Sequence, residues 1–163
     1  METQKKLHLD FVKQLTEFIG EPIHAACNGG RYSGKDFFLA YKGILLDVSP
    51  KVIVIEKDPT KEIAIIPLKF IHEVCLQENQ DTLSPFDFSA QSASKRYKCY
   101  QRYLNKFVQV AAKKHFWSSE GQLKFIGNNY FAIYDEKDKT LGYVNAPKRR
   151  LFIFPAFQLT ALR

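Results

Sequence analysis

Tyr41-Lys42-Gly43-Ile44-Leu45-Leu46-Asp47-Val48-Ser49-Pro50-Lys51-Val52-Ile53-Val54-Ile55 is the stretch on which the fold turns. It reads as two apolar runs split by Ser49-Pro50-Lys51, a turn sequence. Val52–Ile55 is β-branched throughout, and such side chains suit a pleated surface better than a helix. Toward the N-terminus, Asp36–Lys42 carries Phe37, Phe38, Leu39 and Tyr41. Asn28-Gly29-Gly30 before it is turn chemistry, and Pro22–Cys27 is a short apolar piece. Toward the C-terminus, Lys57-Asp58-Pro59-Thr60-Lys61 is a second turn and Glu62–Ile66 a further strand. Pro67 interrupts it, and Ile71–Leu76 follows a tight Leu68–Phe70 link. Short strands with closely spaced turns predict an antiparallel barrel or sandwich. Ahead of them, Leu7, Phe11, Leu15 and Phe18 recur at spacings of four, four and three, which predicts a helix over Leu7–Ile19, ended by Gly20.

The order helix, Phe18-Ile19-Gly20, Tyr41–Val48, Val52–Ile55, then Ile66-Pro67-Leu68-Lys69-Phe70-Ile71 resembles the Sm-like (LSm/Hfq-type) family over residues 7–77. That resemblance implies an N-terminal helix on a small, strongly bent five-stranded barrel. It implies that Gly43 lets the long second strand curl, because glycine alone bends there without steric cost. It also implies ring or subunit assembly through edge strands. Family members that bind uridine-rich RNA carry an Asp and an Asn shortly after the bending glycine. Here those positions hold Ser49 and Ile53, so the resemblance implies the barrel and not base recognition. Another SH3-like or PRC-like small barrel fits the same residues.

Charge is distributed unevenly. The net charge is +7, and Ser94–Trp117 contains seven cations and no acid, so the remainder sums to zero. The cations are Lys95, Arg96, Lys98, Arg102, Lys106, Lys113 and Lys114, interleaved with Tyr97, Tyr100, Tyr103, Phe107, Phe116 and Trp117. Tyr100, Tyr103, Leu104, Phe107, Val110 and Ala111 fall at helical spacings. This predicts a helix over 94–116 with Lys95, Lys98, Arg102, Lys106 and Lys113 on its opposite face. Lys148-Arg149-Arg150 is a second basic cluster. A basic, aromatic-rich surface is the footprint of a polyanion partner: cations neutralise phosphates and aromatics stack on unpaired bases. The expected interface is therefore Lys95, Lys98, Arg102, Lys106, Lys113, Lys114, Lys148, Arg149 and Arg150. The expected partner is nucleic acid, RNA ahead of DNA.

Other signals point away from chemistry. Gly29-Gly30-Arg31-Tyr32-Ser33-Gly34-Lys35-Asp36 nearly matches a phosphate-binding loop, but Asp36 replaces the hydroxyl that would hold Mg²⁺ and would repel phosphates. A nucleotide-binding enzyme through Gly29–Lys35 is the weaker alternative. Cys27, Cys75 and Cys99 form no Cys-x-x-Cys pair, and His8, His24, His72 and His115 lack metal-ligand spacing. No metal or cofactor is expected, and no catalytic residue. The polar start Met1–Lys6 lacks a signal-peptide core, and no window approaches the roughly 20 apolar residues of a membrane span. The expectation is a cytoplasmic protein with three reduced thiols.

Tyr130–Tyr134, Asp135–Lys139 and Thr140–Val144 predict a hairpin, and Leu151–Phe154 another strand. The sequence thus predicts an α+β chain: residues 1–77 as helix plus barrel, 78–94 as linker, and 95–163 as basic helix and C-terminal β segment. A protein-interaction or assembly subunit without a nucleic-acid role is the other reading of the same features.

Overall fold

A computed structural model describes residues 6–32, 35–76, 100–112, 118–146 and 151–155. Its helix α1 spans Phe11–Thr16. The strands are β1 (Pro22–Tyr32), β2 (Lys35–Val48), β3 (Val52–Lys57), β4 (Ile63–Pro67), β5 (Ile71–Leu76), β6 (Phe107–Ala112), β7 (Ser118–Ile126), β8 (Tyr130–Asp135), β9 (Thr140–Asn145) and β10 (Leu151–Pro155). Among the described residues they form one antiparallel sheet, in the order β10-β6-β7-β8-β9-β5-β1-β2-β3-β4.

The predicted α+β class is therefore wrong: the chain is mostly antiparallel β with a single short α-helix among the described residues. The error lies in the predicted basic helix. Tyr100–Tyr103 form a 3-10 turn, and Asn105 takes a left-handed backbone (φ 64°) that stops any helix there. Asn105 then donates its N–H to Leu123 O at 2.7 Å, and Leu123 returns a bond to Lys106 O at 3.0 Å. The chain is thereby committed to the β6–β7 ladder. Val108 and Val110 turn inward, fully buried, while Phe107 is 53% exposed. Period two wins over period 3.6 because β-branched valines alternate along this run.

The predicted turn at Asn28–Gly30 is also displaced. β1 continues through it with a bulge between Asn28 and Gly30, and residues 33–34 fall outside the described set. The predicted linker 78–94 lies outside it as well.

α1 is shorter than its apolar stripe suggested. Asp10 caps it by accepting from Lys13 N at 3.1 Å, and Gly20 (φ 92°) ends the segment, donating to Leu45 O at 2.7 Å. The stripe itself packs as expected: Phe11, Leu15 and Phe18 are buried. In β2, a Cβ at Gly43 would overlap the Glu56 carbonyl oxygen of β3, so glycine is required for this close strand approach.

Two cores lie on opposite faces of the sheet. One joins α1 and β1–β5 to Phe125, Tyr130, Ala132, Leu141 and Tyr143. The other holds Val108, Val110, Leu123, Ile126, Phe131, Ile133, Val144 and Ala146, covered by Tyr100, Tyr103 and Leu104. A bulge between Leu123 and Phe125 makes this possible, since the extra residue sends Leu123 to one core and Phe125 to the other. β8 and β9 are accordingly buried on both faces.

Candidate functional site

Arg102 and Lys106 are the two expected interface residues that fall within the described set. Lys95, Lys98, Lys113, Lys114, Lys148, Arg149 and Arg150 lie outside it. Arg102 sits in the 3-10 turn, exposed. Its guanidinium lies 4.8 Å from the Tyr103 ring centroid and donates to Tyr103 Oη at 2.8 Å. Lys106 is exposed at the entry to β6, next to the exposed Phe107. Among the described residues, no carboxylate comes within ion-pair distance of either cation. Lys124 of β7 reaches the same turn and donates to Asn105 Oδ1 at 3.4 Å. The aromatics divide by role. Tyr100 packs edge-on against Phe131 (6.0 Å between centroids) and Tyr103 covers the second core, whereas Phe107 faces outward. Among the described residues the cations are not aligned on a helical stripe, because the segment after Lys106 runs along a strand.

Gly29–Lys35 does not form a phosphate cradle at its described positions. Arg31 pairs with Asp36 and Tyr32 with Lys35 at the end of the β1–β2 hairpin. Strand leads to strand there, so no helix N-terminus is offered to an anion.

A second place carries polar groups that no motif announced. A cavity of about 400 Å³ opens among β1, β5, β7, β8 and β9, with Glu73, Cys75, Ser119, Asp135 and His24 in its wall. Glu73 accepts from Ser119 Oγ at 3.0 Å. Burial holds its pKa above the ordinary carboxylate range; hydrogen bonds from Ser119 and Cys75 oppose the shift, and the nearby Asp135 charge adds to it. A Cβ at Gly142 would overlap Glu73 Oε1, so the bare backbone of β9 is what makes room for the carboxyl. Burial also raises the Cys75 thiol pKa well above its usual value, with the Glu73 charge adding, and lifts that of Cys27 to about 11. Both shifts disfavour the thiolate, the form in which a cysteine attacks. No group of His, Cys, Asp and Glu among the described residues has metal-binding geometry. No helix is long and apolar enough to cross a membrane among the same residues.

Comparisons with family models, with curated proteins and with solved structures return no match to this chain.

Proposed function

We propose that this protein is a non-enzymatic binding protein for nucleic acid, RNA ahead of DNA. One observation carries the reading. Arg102 and Lys106, members of a seven-cation segment without acids, stand exposed and unmatched by carboxylates among the described residues, beside an outward-facing Phe107. Unmatched cations gain most from a phosphate, because no internal ion pair must be broken first. The phenyl ring supplies a stacking surface for an unpaired base. Such contacts position a strand without reading its sequence. The test is fluorescence anisotropy with a labelled single-stranded RNA across a salt series. Affinity should fall steeply with log[salt]. Arg102→Glu with Lys106→Glu should weaken binding and flatten the log–log slope by about 1–2. Absence of binding at low salt, or a slope unchanged in the double variant, overturns the reading.

A specific observation favours a second reading, assembly through a sheet edge. β4 ends the sheet among the described residues, and its Ile63 and Ile65 are 56% and 67% exposed. Open edges with apolar side chains pair with other strands. β5 offers no such edge, being paired with β1 on one side and β9 on the other. Assembly would therefore run through an end of the sheet such as β4, and not through β5. Light scattering after size exclusion tests this: a discrete oligomer that Ile65→Lys dissolves supports it, and a wild-type monomer ends it.

A further inference from the structure

We infer that Phe107, Gln122 and Tyr134 form a platform for the unpaired bases of single-stranded RNA, an assignment that rests on the nucleic-acid role proposed for Arg102 and Lys106. Residues directly opposite each other on neighbouring strands share a face of the sheet. Phe107 of β6 stands opposite Gln122 of β7, and Gln122 stands opposite Tyr134 of β8. The three side chains form one row across three strands, with the rings about 10 Å apart on either side of the amide. Their chain neighbours fix the face. Val108, Leu123 and Ile133 point into the second core, so Phe107, Gln122 and Tyr134 point to the other side. Tyr134 is half-buried against the first core, Gln122 is half-buried and Phe107 is exposed. Aromatic rings stack on any base, and an amide offers a donor and an acceptor to a base edge. Gln122 Nε2 donates to Asn105 O at 3.1 Å, and Lys124 Nζ donates to Asn105 Oδ1 at 3.4 Å. Both tie the row to the turn that carries Arg102 and Lys106, so three cations gather along one side of it. Glu120, exposed two residues before Gln122 on β7, marks the opposite side. Phosphates are drawn to the cationic side and repelled from Glu120, which leaves the bases to lie inward over the rings. A duplex keeps its base faces stacked and hidden, so this surface suits a single strand.

The experiment measures fluorescence anisotropy of the full chain with a labelled oligouridylate of about 12 nucleotides. An abasic oligomer of the same length and an RNA duplex serve as comparison probes. Phe107→Ala should weaken oligouridylate at least ~5-fold, the lower end for one lost stacked base. Tyr134→Leu, which keeps apolar bulk toward the core, should weaken it at least ~3-fold, and Tyr134→Phe should bind like wild type. None of these variants should change the slope of log affinity against log[salt], because no cation is removed. The abasic oligomer should bind wild type and Phe107→Ala equally, and both weakly. Phe107 is exposed, so its variant keeps the test decisive should Tyr134→Leu fail to fold. Salt-dependent RNA binding that Phe107→Ala leaves at wild-type affinity overturns the platform and leaves the phosphate contacts standing. So does an abasic oligomer or a duplex bound as tightly as oligouridylate. Absence of binding to every probe at low salt overturns both.

Discussion

Glu73 is the residue that most clearly works against stability. Its carboxyl titrates above the ordinary range, mainly through burial, so the charged form is less favoured in the folded state than in the unfolded chain. A group of this kind contributes stability below its unfolded pKa, and that contribution is lost as pH rises through the folded value. Glu73→Gln keeps an acceptor for Ser119 and removes the charge. The variant should melt about 2–4 °C above wild type at pH 7, equivalent to ~1 kcal/mol in a domain of this size, with the gap closing near pH 4. Differential scanning calorimetry at both pH values checks this. A variant less stable than wild type at pH 7 would mean that the ionised carboxylate is an asset to the fold. Nothing local in the sequence marked this residue as part of a site. Its cavity partners come from β1, β7, β8 and β9, and only the sheet order brings positions 24, 73, 119 and 142 together. The one available signal was an acid inside an otherwise largely apolar strand, His72-Glu73-Val74-Cys75.

At the scale of elements, much of residues 22–76 was legible because two local signals agree there. Val52–Ile55 is β-branched, and Ser49-Pro50-Lys51 and Lys57–Lys61 supply the turns on either side of it. Over 100–112 two periods compete. Tyr100, Tyr103, Leu104 and Phe107 satisfy a helix, while Val108-Gln109-Val110 satisfies a strand. Part of the helical reading survives in a different form, since Tyr100, Tyr103 and Leu104 do cover the later half of the sheet, from a 3-10 turn. The competition gives a sharp test. A helix would bury Phe107 with Val110, whereas the strand separates them. Val110→Ala should cost about 1–2 kcal/mol, the loss of buried methyl groups, and Phe107→Ala less than ~0.5 kcal/mol. Urea denaturation measures both, and comparable losses would argue for the helix. The tests of β4 and of Arg102 with Lys106 belong to this scale as well, since each probes what one element exposes.

For the whole molecule, the deciding contact is the pairing of β5 with β9, which runs from Glu73↔Val144 to Leu76↔Leu141. It welds the early and late β regions into one sheet, an outcome the sequence left open because no residue pattern specifies which distant strands become neighbours. A fragment ending at residue 76 would keep β1–β5 but bare the outer side of β5 and the core face that Phe125, Tyr130 and Tyr143 cover. Such a fragment should self-associate at concentrations where the full chain does not, as dynamic light scattering would register. A well-behaved fragment with the size distribution of the intact protein would mean that the first five strands are self-sufficient. The same pairing has a consequence during synthesis. β5 leaves the ribosome before β9 exists, and at about 5–20 residues per second the interval between them lasts about 3–13 s. For those seconds the nascent chain carries an unclosed seam, and a holdase that binds extended apolar segments would find its client there.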